Sequence, residues 1–453
     1  MKPDTILILE DNEERIAAFR ETVLSLRTDF HIRVWRDAPR FVAEAEDFFG
    51  RAALISLDHD LNPQPGVSTD PGTGMDAANF LADYLPVCPI IIHSSNTDRS
   101  WSMHNELRFA GWRPERVGPT DDCRWILGQW RRQAAQMLDT GGNWHSQRLP
   151  DDHRERLEQV WLSLNGVGIG DAIGEMCAYQ SYLAPKRIQE SGLPTGPWVH
   201  TDDTEMAISV SEVLRVHGFI QPDALARRFA RRFERDPERG YGKMTRIQLR
   251  EMSAGVPWRE TSAKAFGGQG SMGNGAAMRA TPVGAYFRDD LEAVVANARL
   301  SAVVTHHHPE GVAGAIAVAV AAALADRLKD FSEAGVQAFW HGVLAHTPDS
   351  KVRQSIQAAA TTPTAVSSEA AAKILGNGFR ITAPDTVPYA LWCAAKHRRD
   401  FRSALAAAIE TGGDCDTNAA IVGGIVALAV GQEGIPAAWL EAREPIPFRA
   451  INQ

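Results

Sequence analysis

The sequence has few cysteines, no long apolar run and no excess of positive charge. Its five cysteines lie far apart without a CxxC pair, which argues against a disulfide framework or zinc site and indicates reduced thiols. The longest apolar stretches, 311–324 and 419–430, fall short of the roughly 20 residues that a membrane-spanning helix needs, so they predict buried helices. The first residues lack the pattern of a signal peptide. We therefore expect a soluble, cytoplasmic protein.

The composition is that of a globular protein with a negative net charge. The 453 residues carry a formal charge of −9 and are 44% hydrophobic, which excludes wholesale disorder and argues against coating of nucleic acid through bulk charge. The helix predicted for 224–235 has a run of arginines interleaved with Glu234 and Asp236. We predict a solvated helix face there rather than a nucleic-acid patch.

Two patterns divide the chain. Residues 1–138 alternate helical patterns with β-rich runs at 5–9, 32–35, 53–57 and 89–93. Continuous apolar strands that alternate with helices indicate a parallel sheet covered on both faces. Both patterns stop at 139–153, which we assign to a linker. Residues 154–453 are helical in pattern almost throughout, so we expect a multidomain protein with an α/β domain followed by an all-α domain.

Acidic residues cluster at two predicted helix starts in the second domain. The segment 200–205, with Thr201, Asp202 and Asp203, opens one helix, and the segment 411–418 opens the apolar helix 419–430. Either segment alone is explained by helix capping. Together they hold more acids than caps require, and unpaired carboxylates at the start of a buried helix are expensive. Such oxygens suit Mg²⁺ or Mn²⁺, and two ions can polarise a leaving oxygen and orient a water.

Two further segments suit a ligand that carries phosphate. The segment 267–279 packs five glycines into its first nine residues, which permits backbone N–H groups to approach an anion closely. The three histidines at 306–308 could bring imidazole to the same site. Each of these features alone is weak evidence.

Five motifs in the second domain together resemble the ADP-ribosylglycohydrolase family. They are Gly170-Asp171-Ala172-Ile173-Gly174, Thr201-Asp202-Asp203-Thr204, 273–279, Thr305-His306 and 413–418, in that order. The resemblance implies an all-α fold and a binuclear Mg²⁺ or Mn²⁺ centre that cleaves the bond at the anomeric carbon of ADP-ribose. It implies as metal ligands Thr201, Asp202, Asp203, Asp414, Asp416 and Thr417. It implies as ADP-ribose-lining residues Ser271, Gly273, Asn274, Gly275 and His306.

One position departs from the family pattern. Many relatives have a glutamate four residues after the second glycine of the first motif, where this chain has Ala178, and Glu175 is the only acid nearby. Either Glu175 takes that role or the chemistry differs. We expect the proton to be handled by Glu175 or by a metal-site aspartate such as Asp203 or Asp414.

Polar residues follow the predicted strands of the first domain. Glu10, Asp11 and Asp58 come directly after strands, where the ligand crevice of an open α/β sheet lies. The pattern resembles the flavodoxin-like receiver domains of response regulators, which implies one Mg²⁺ held by these three acids. No lysine follows the fifth strand, and His59 and His93 are additional. With these differences, the first domain more closely resembles the cyclic-phosphate-processing receiver domains.

Several roles remain open for the first domain. His59 and His93 could act as an acid/base pair that opens a cyclic phosphate. The domain could instead sense a ligand, be purely structural, or be a phosphoacceptor switch at Asp58. For the whole chain we expect a metal-dependent hydrolase acting on ADP-ribosylated protein or on a phosphorylated or cyclic-phosphate ADP-ribose. The alternative is a non-catalytic sensor of ADP-ribose derivatives.

Overall fold

A computed structural model describes residues 3–63, 66, 69–84, 86–120, 122–139, 149–179, 188, 192–329 and 332–448. The chain divides into two compact units, Met1–Arg148 and Leu149–Gln453. The boundary falls inside the stretch assigned to the linker, of which residues 140–148 lie outside the described residues. Of the helices in the described ranges, none is both long and apolar enough to cross a bilayer.

The first unit contains the predicted parallel sheet. Its elements are β1 Thr5–Leu9, α1 Glu13–Leu26, β2 His31–Trp35, α2 Ala38–Glu44, a 3-10 turn Ala45–Arg51, β3 Ala52–Leu57, α3 Gly74–Leu81, β4 Ile90–His93, α4 Thr97–Phe109, β5 Pro114–Val117, a π-helical turn Ile126–Trp130 and α5 Arg131–Asp139. The strands are all parallel and lie in the order β2-β1-β3-β4-β5. This is the order of flavodoxin-like folds, whose ligands bind at the carboxyl ends of the strands.

Burial explains why the inner strands were recognisable. Every residue of β1, β3 and β4 is buried, because helices cover both faces of a parallel sheet. The edge strand β2 alternates between exposed and half-buried residues up to the buried Trp35. The carboxyl ends of β1, β3 and β4 bring Glu10, Asp58 and His93 to one edge of the sheet.

The second unit is helical, as predicted. Its helices are α6 His153–Tyr179, α7 Asp202–His217, α8 Pro222–Arg235, α9 Lys243–Ser253, α10 Trp258–Gly268, α11 Thr281–Tyr286, α12 Leu291–Val303, α13 Pro309–Ala323, α14 Ala325–Lys329, α15 Glu333–His346, α16 Lys351–Thr361, α17 Ser368–Leu375, α18 Ala383–Lys396, α19 Phe401–Glu410, α20 Cys415–Val430 and α21 Ala437–Ala442, with 3-10 turns at Asn274–Ala276 and Gln432–Gly434. The predicted apolar stretches form α13 and most of α20, which are buried along almost their whole lengths.

Helices α6 and α20 pack against each other through glycines. A Cβ atom at Gly166 would lie 2.1 Å from the carbonyl oxygen of Gly423, and one at Gly170 would lie 2.0 Å from that of Ala419. One turn further, a Cβ at Gly174 would lie 2.5 Å from the Cα of Asp416. This close approach holds the end of α6 beside the start of α20.

We expect Gly166→Ala to destabilise the second unit by about 3 kcal/mol, because the new methyl group meets backbone that cannot turn away. The measurement is urea unfolding followed by circular dichroism. Gly242→Ala is the control, because its Cβ would meet only one atom, at 4.0 Å. A Gly166→Ala variant as stable as this control would show that the two helices separate easily.

The prediction of a solvated arginine face on α8 is wrong for two of its residues. Arg228 and Arg232 are buried, and each donates to a carboxylate oxygen of Glu212 at 2.7 Å. Arg232 also donates to Glu205 at 2.8 Å. Both carboxylates come from α7, and a helical pattern alone does not show which helix packs against it.

Candidate functional site

A cavity of about 560 Å³ in the second unit gathers most of the residues singled out from the sequence. The starts of α7 and α20 form its acidic end. The glycine-rich segment 269–275, the segment 380–382 and most of the segment 240–245 line much of the rest. Gly273 and Thr382 join the first two of these segments through an isolated β-bridge.

The cavity contains five of the six predicted metal ligands and all the residues predicted to line ADP-ribose. They are Asp202, Asp203, Asp414, Asp416 and Thr417, with Ser271, Gly273, Asn274, Gly275 and His306. Thr201 and Glu175 are not among the lining residues.

The four aspartates repel one another. Burial raises the pKa of Asp202 and of Asp203 well above its usual value, and the charge of Asp416 adds to the rise. The same two causes raise the pKa of Asp414 to about 8. Among the described residues, no lysine, arginine or histidine forms an ion pair with any of the four. Among the described residues, the buried Oδ1 of Asp203 also has no hydrogen-bond partner.

This donor set fits divalent cations. Carboxylate and hydroxyl oxygens are the ligands of Mg²⁺ and Mn²⁺, and a cation would remove the repulsion that raises these pKa values. No three ligand atoms of these aspartates lie within 4.8 Å of one another, since the one such group of three among the described residues lies in the first unit. No single ion therefore reaches three of the aspartates as they stand.

Asp171 anchors the start of α7. Its fully buried carboxylate accepts hydrogen bonds from the backbone N–H groups of Thr201 and Thr204, at 2.9 and 3.0 Å, and from both threonine hydroxyls. The Thr201 hydroxyl, predicted as a metal ligand, therefore points to Asp171. Sequence analysis gave Asp171 no role, although its motif was among the five that carry the resemblance.

Two other predicted ligand-lining residues have partners within the site. The amide of Asn274 donates to Asp414 and to the Thr386 hydroxyl, so it also orients a metal-site carboxylate. Burial lowers the pKa of His306 to about 3, with the Arg279 charge adding to the effect, so the imidazole is neutral. A Cβ at Gly273 would lie 3.2 Å from its Nε2, which explains a glycine there.

Hydrogen bonds order the His306 imidazole. Nδ1 lies 2.8 Å from the Thr305 hydroxyl oxygen, which accepts from Arg279 at 2.8 Å. Because that oxygen already accepts from the guanidinium, its own proton is available for Nδ1. The arrangement favours the tautomer with the proton on Nε2.

The rim of the cavity includes two strained apolar residues that sequence analysis missed. Among the described residues other than glycine, only Phe266 and Ile381 have positive φ, of 52° and 53°. They are 55% and 63% exposed, and both line the cavity. Positive φ is rare for an aromatic or β-branched residue and is concentrated at ligand sites.

Glu175 lies near the end of α6 and is partly exposed. Burial raises its pKa to about 7, and the charges of Asp416 and Asp171 add to the rise. A carboxyl group with this pKa can hold or release a proton near neutral pH.

The first unit has its own cluster at the sheet edge. Ligand atoms of Glu10, Asp58 and His93 lie within 4.8 Å of one another, and all three side chains are buried. The guanidinium of Arg15 lies 3.3 Å from Asp58 and 3.6 Å from Glu10. Burial raises the pKa of Asp58 to about 6. For Glu10, burial is outweighed by His93 and Arg15, which hold its pKa below the usual value.

The structure does not bring the other predicted residues of the first unit into this cluster. Asp11 accepts from the backbone N–H and side-chain amide of Asn62, at 2.8 and 3.0 Å, and His93 stands where Asp11 was expected. The His59 Nδ1 lies 2.6 Å from Asp60. His59 and His93 therefore contact different carboxylates. These contacts do not bring the two histidines together as an acid/base pair.

Comparisons with known proteins agree with both halves of this picture. Residues 150–452 match the family model of ADP-ribosylglycohydrolase, and residues 6–109 match that of the cyclic-phosphate processing receiver domain. An uncharacterized protein of Archaeoglobus fulgidus is 34% identical over 262 residues, which are 56% of this chain and 78% of that protein. ADP-ribosylhydrolase ARH3 of Homo sapiens is 29% identical over 289 residues, 54% of this chain and 74% of that protein.

A solved structure titled ADP-ribosylglycohydrolase-related protein complex is also similar. It is 25% identical with a TM-score of 0.45, and the match covers 64% of this chain and 93% of that one. Because the first family model covers well over half of the sequence, the chain belongs to the ADP-ribosylglycohydrolase family. At its N-terminus it carries a receiver domain of the cyclic-phosphate processing type.

Proposed function

We propose that the second unit is a metal-dependent hydrolase that cleaves the glycosidic bond at the anomeric carbon of ADP-ribose. The observation that carries this proposal is that four repelling aspartates meet the glycine-rich segment and His306 in one cavity. Acidic and anion-binding ends in one cavity suit a ligand with ribose hydroxyls at one end and a diphosphate near the other.

The metal ligands in this proposal are Asp202, Asp203, Asp414, Asp416 and Thr417. When bound, Mg²⁺ or Mn²⁺ would polarise the reacting oxygens and lower the pKa of a water. Thr201 would serve through its contact with Asp171, to which its hydroxyl donates.

The chain's own groups would bind and orient the rest of the ligand. Backbone N–H groups of the segment 269–275 would hold the diphosphate, and the neutral His306 would donate from Nε2 to a ligand oxygen. Phe266 and Ile381 would supply apolar faces for the adenine ring, which is flat and needs little more than stacking. The strain at these two positions supports a role in binding.

We propose that Glu175, which does not line the cavity, transfers the proton through one intervening water. We expect Glu175→Gln to lower kcat by about 10²- to 10⁴-fold, which is the usual worth of general acid–base catalysis, and to leave metal binding unchanged. Steady-state rates and calorimetric metal titration measure the two quantities. Glu155→Gln, on the exposed start of the same helix, is the control. A rate within twofold of wild type would exclude Glu175.

We also propose a class of substrate. The second unit is joined to a receiver domain of the cyclic-phosphate processing type, which favours a phosphorylated or cyclic-phosphate ADP-ribose as the substrate. The first unit would open the ring of the cyclic phosphate. The full-length protein should be incubated with arginine-linked, serine-linked and 1″,2″-cyclic-phosphate ADP-ribose, and the products identified by mass spectrometry. Release from a protein linkage would indicate a de-modifying enzyme with the first unit as regulator. Turnover of the cyclic phosphate alone would indicate metabolite repair.

A sensor without catalysis is the second candidate. Ala178 at the position of the family glutamate favours it, because a relative that lost its acid would retain the binding cavity. Saturable binding of ADP-ribose with no product from any of the three substrates would support this candidate.

A further inference from the structure

We propose that a basic groove beside the cavity of the second unit is a docking surface for an acidic segment of a partner protein. The groove has a volume of about 760 Å³ and is lined by residues of α16, the end of α17 and the start of α18. It shares Arg380 and Thr382 with the cavity. The inference goes beyond the proposed function, because it holds whichever ADP-ribose derivative is cleaved.

The groove is positively charged, although the whole chain has a formal charge of −9. Lys351, Lys373 and Arg380 line it, and all three are exposed. None of them forms an ion pair with a described residue. Asp385 is the one carboxylate among the lining residues, and it already accepts from the backbone N–H of Arg380 at 2.9 Å. The charges of the groove therefore complement a ligand that carries several carboxylates.

The groove also presents bulky apolar side chains to solvent. Phe379 is 81% exposed, the largest value for such a side chain in the described part of the chain, and Ile374 is 63% exposed. Both line the groove together with the three cations. Exposed apolar surface rimmed by polar residues marks interaction sites, and an apolar centre within a polar rim is the usual anatomy of a protein–protein interface.

The segment 376–382, which contributes residues to both the groove and the cavity, is held in place by hydrogen bonds. The backbone carbonyl of Asn377 accepts from the Asp414 N–H at 3.2 Å and from the Asn418 amide at 2.7 Å. The side-chain oxygen of Asn377 accepts from the Phe379 N–H at 3.2 Å. Phe379 is thus exposed on a fixed backbone, which lowers the entropic cost of binding a partner.

This combination of groups favours a polypeptide over a nucleic acid. Proteins that bind single-stranded nucleic acid stack successive bases on several aromatic rings, whereas Phe379 is the one aromatic residue that lines the groove. An acidic polypeptide segment supplies carboxylates for the cations and apolar side chains for Phe379 and Ile374. Apart from Arg380 and Thr382, the lining residues lie outside the cavity, so the segment needs no attached ADP-ribose.

The test is a titration of the full-length protein with labelled decapeptides in which glutamates alternate with leucine, isoleucine or phenylalanine, followed by fluorescence anisotropy. We expect saturable binding that weakens as salt is added. Phe379→Ala should weaken it at least about tenfold, because aromatic residues at the centre of an interface are typical hot spots. Lys373→Glu should weaken it by about the same factor, because it opposes like charges. Neither metal nor ADP-ribose is added, so the outcome does not depend on the proposed hydrolase.

Two matched controls should leave the peptide affinity unchanged. Leu24→Ala removes an exposed apolar side chain from the first unit, and Arg353→Glu makes the same change of charge on α16 outside the groove lining. Circular dichroism checks that each variant is folded, and decapeptides with lysine in place of glutamate should not bind. Three results would each overturn the proposal: no saturable binding of any acidic peptide, unchanged affinity in Phe379→Ala, or tighter binding of a uridine decanucleotide than of every acidic peptide.

Discussion

The Asp416→Ala variant is expected to lose at least about 10³-fold in kcat, because the metal contribution that it removes is worth several kcal/mol. Asp416 is the residue whose charge acts on Asp202, Asp203 and Asp414 alike. Metal affinity should fall by more than about 100-fold, since even outer-sphere residues change it by 10–100-fold.

The same substitution should not destabilise the metal-free protein. Removing one of four repelling carboxylates relieves electrostatic strain, so the thermal midpoint without metal should equal or exceed that of wild type. Calorimetric metal titration measures the metal affinity, thermal unfolding measures the stability, and ADP-ribose release measures kcat. Glu369→Ala removes one exposed acid from α17 and should change none of them. Retained Mg²⁺-dependent turnover in Asp416→Ala would contradict the proposed site.

The Asp171→Ala variant is expected to lose at least about 3 kcal/mol of stability in the second unit. Its buried carboxylate accepts from two N–H groups and two hydroxyls, and each buried donor left unsatisfied costs about 1–3 kcal/mol. Metal affinity should fall as well, because the start of α7 carries Asp202 and Asp203.

Urea unfolding of the second unit measures the stability, and calorimetry the metal affinity. Asp290→Ala is the matched control, because Asp290 caps α12 by accepting from the Ala293 N–H at an exposed site. It should cost about 1 kcal/mol, as an ordinary N-cap does. A loss in Asp171→Ala no larger than in this control would show that Asp171 is not the anchor of α7.

The sequence predicted those features that depend on local pattern. The strand 5–9 has the predicted bounds, because a β-rich apolar run is a local signal. The predicted helix start at 419 is in fact at Cys415. The aspartates that precede it therefore lie at the N-cap and in the first turn, where their side chains reach the cavity.

Features that depend on pairing between distant segments were not predicted. Asn62 holds Asp11 away from the first cluster, and nothing near either residue in the sequence indicates that contact. Asp171 meets Thr201 across 30 positions, and Arg232 meets Glu205 across 27. In each case tertiary packing determines the polar partner, and the periodicity of the sequence does not predict it.

The measurement that tests the central claim most directly is ADP-ribose release followed over time by mass spectrometry. The full-length protein would be given its best substrate with Mg²⁺, then chelator, then Mg²⁺ again. We expect release to stop with chelator and to return when the metal is restored. Release that continues unchanged in chelator would contradict a metal-dependent hydrolase, and so would ligand binding without release under every condition.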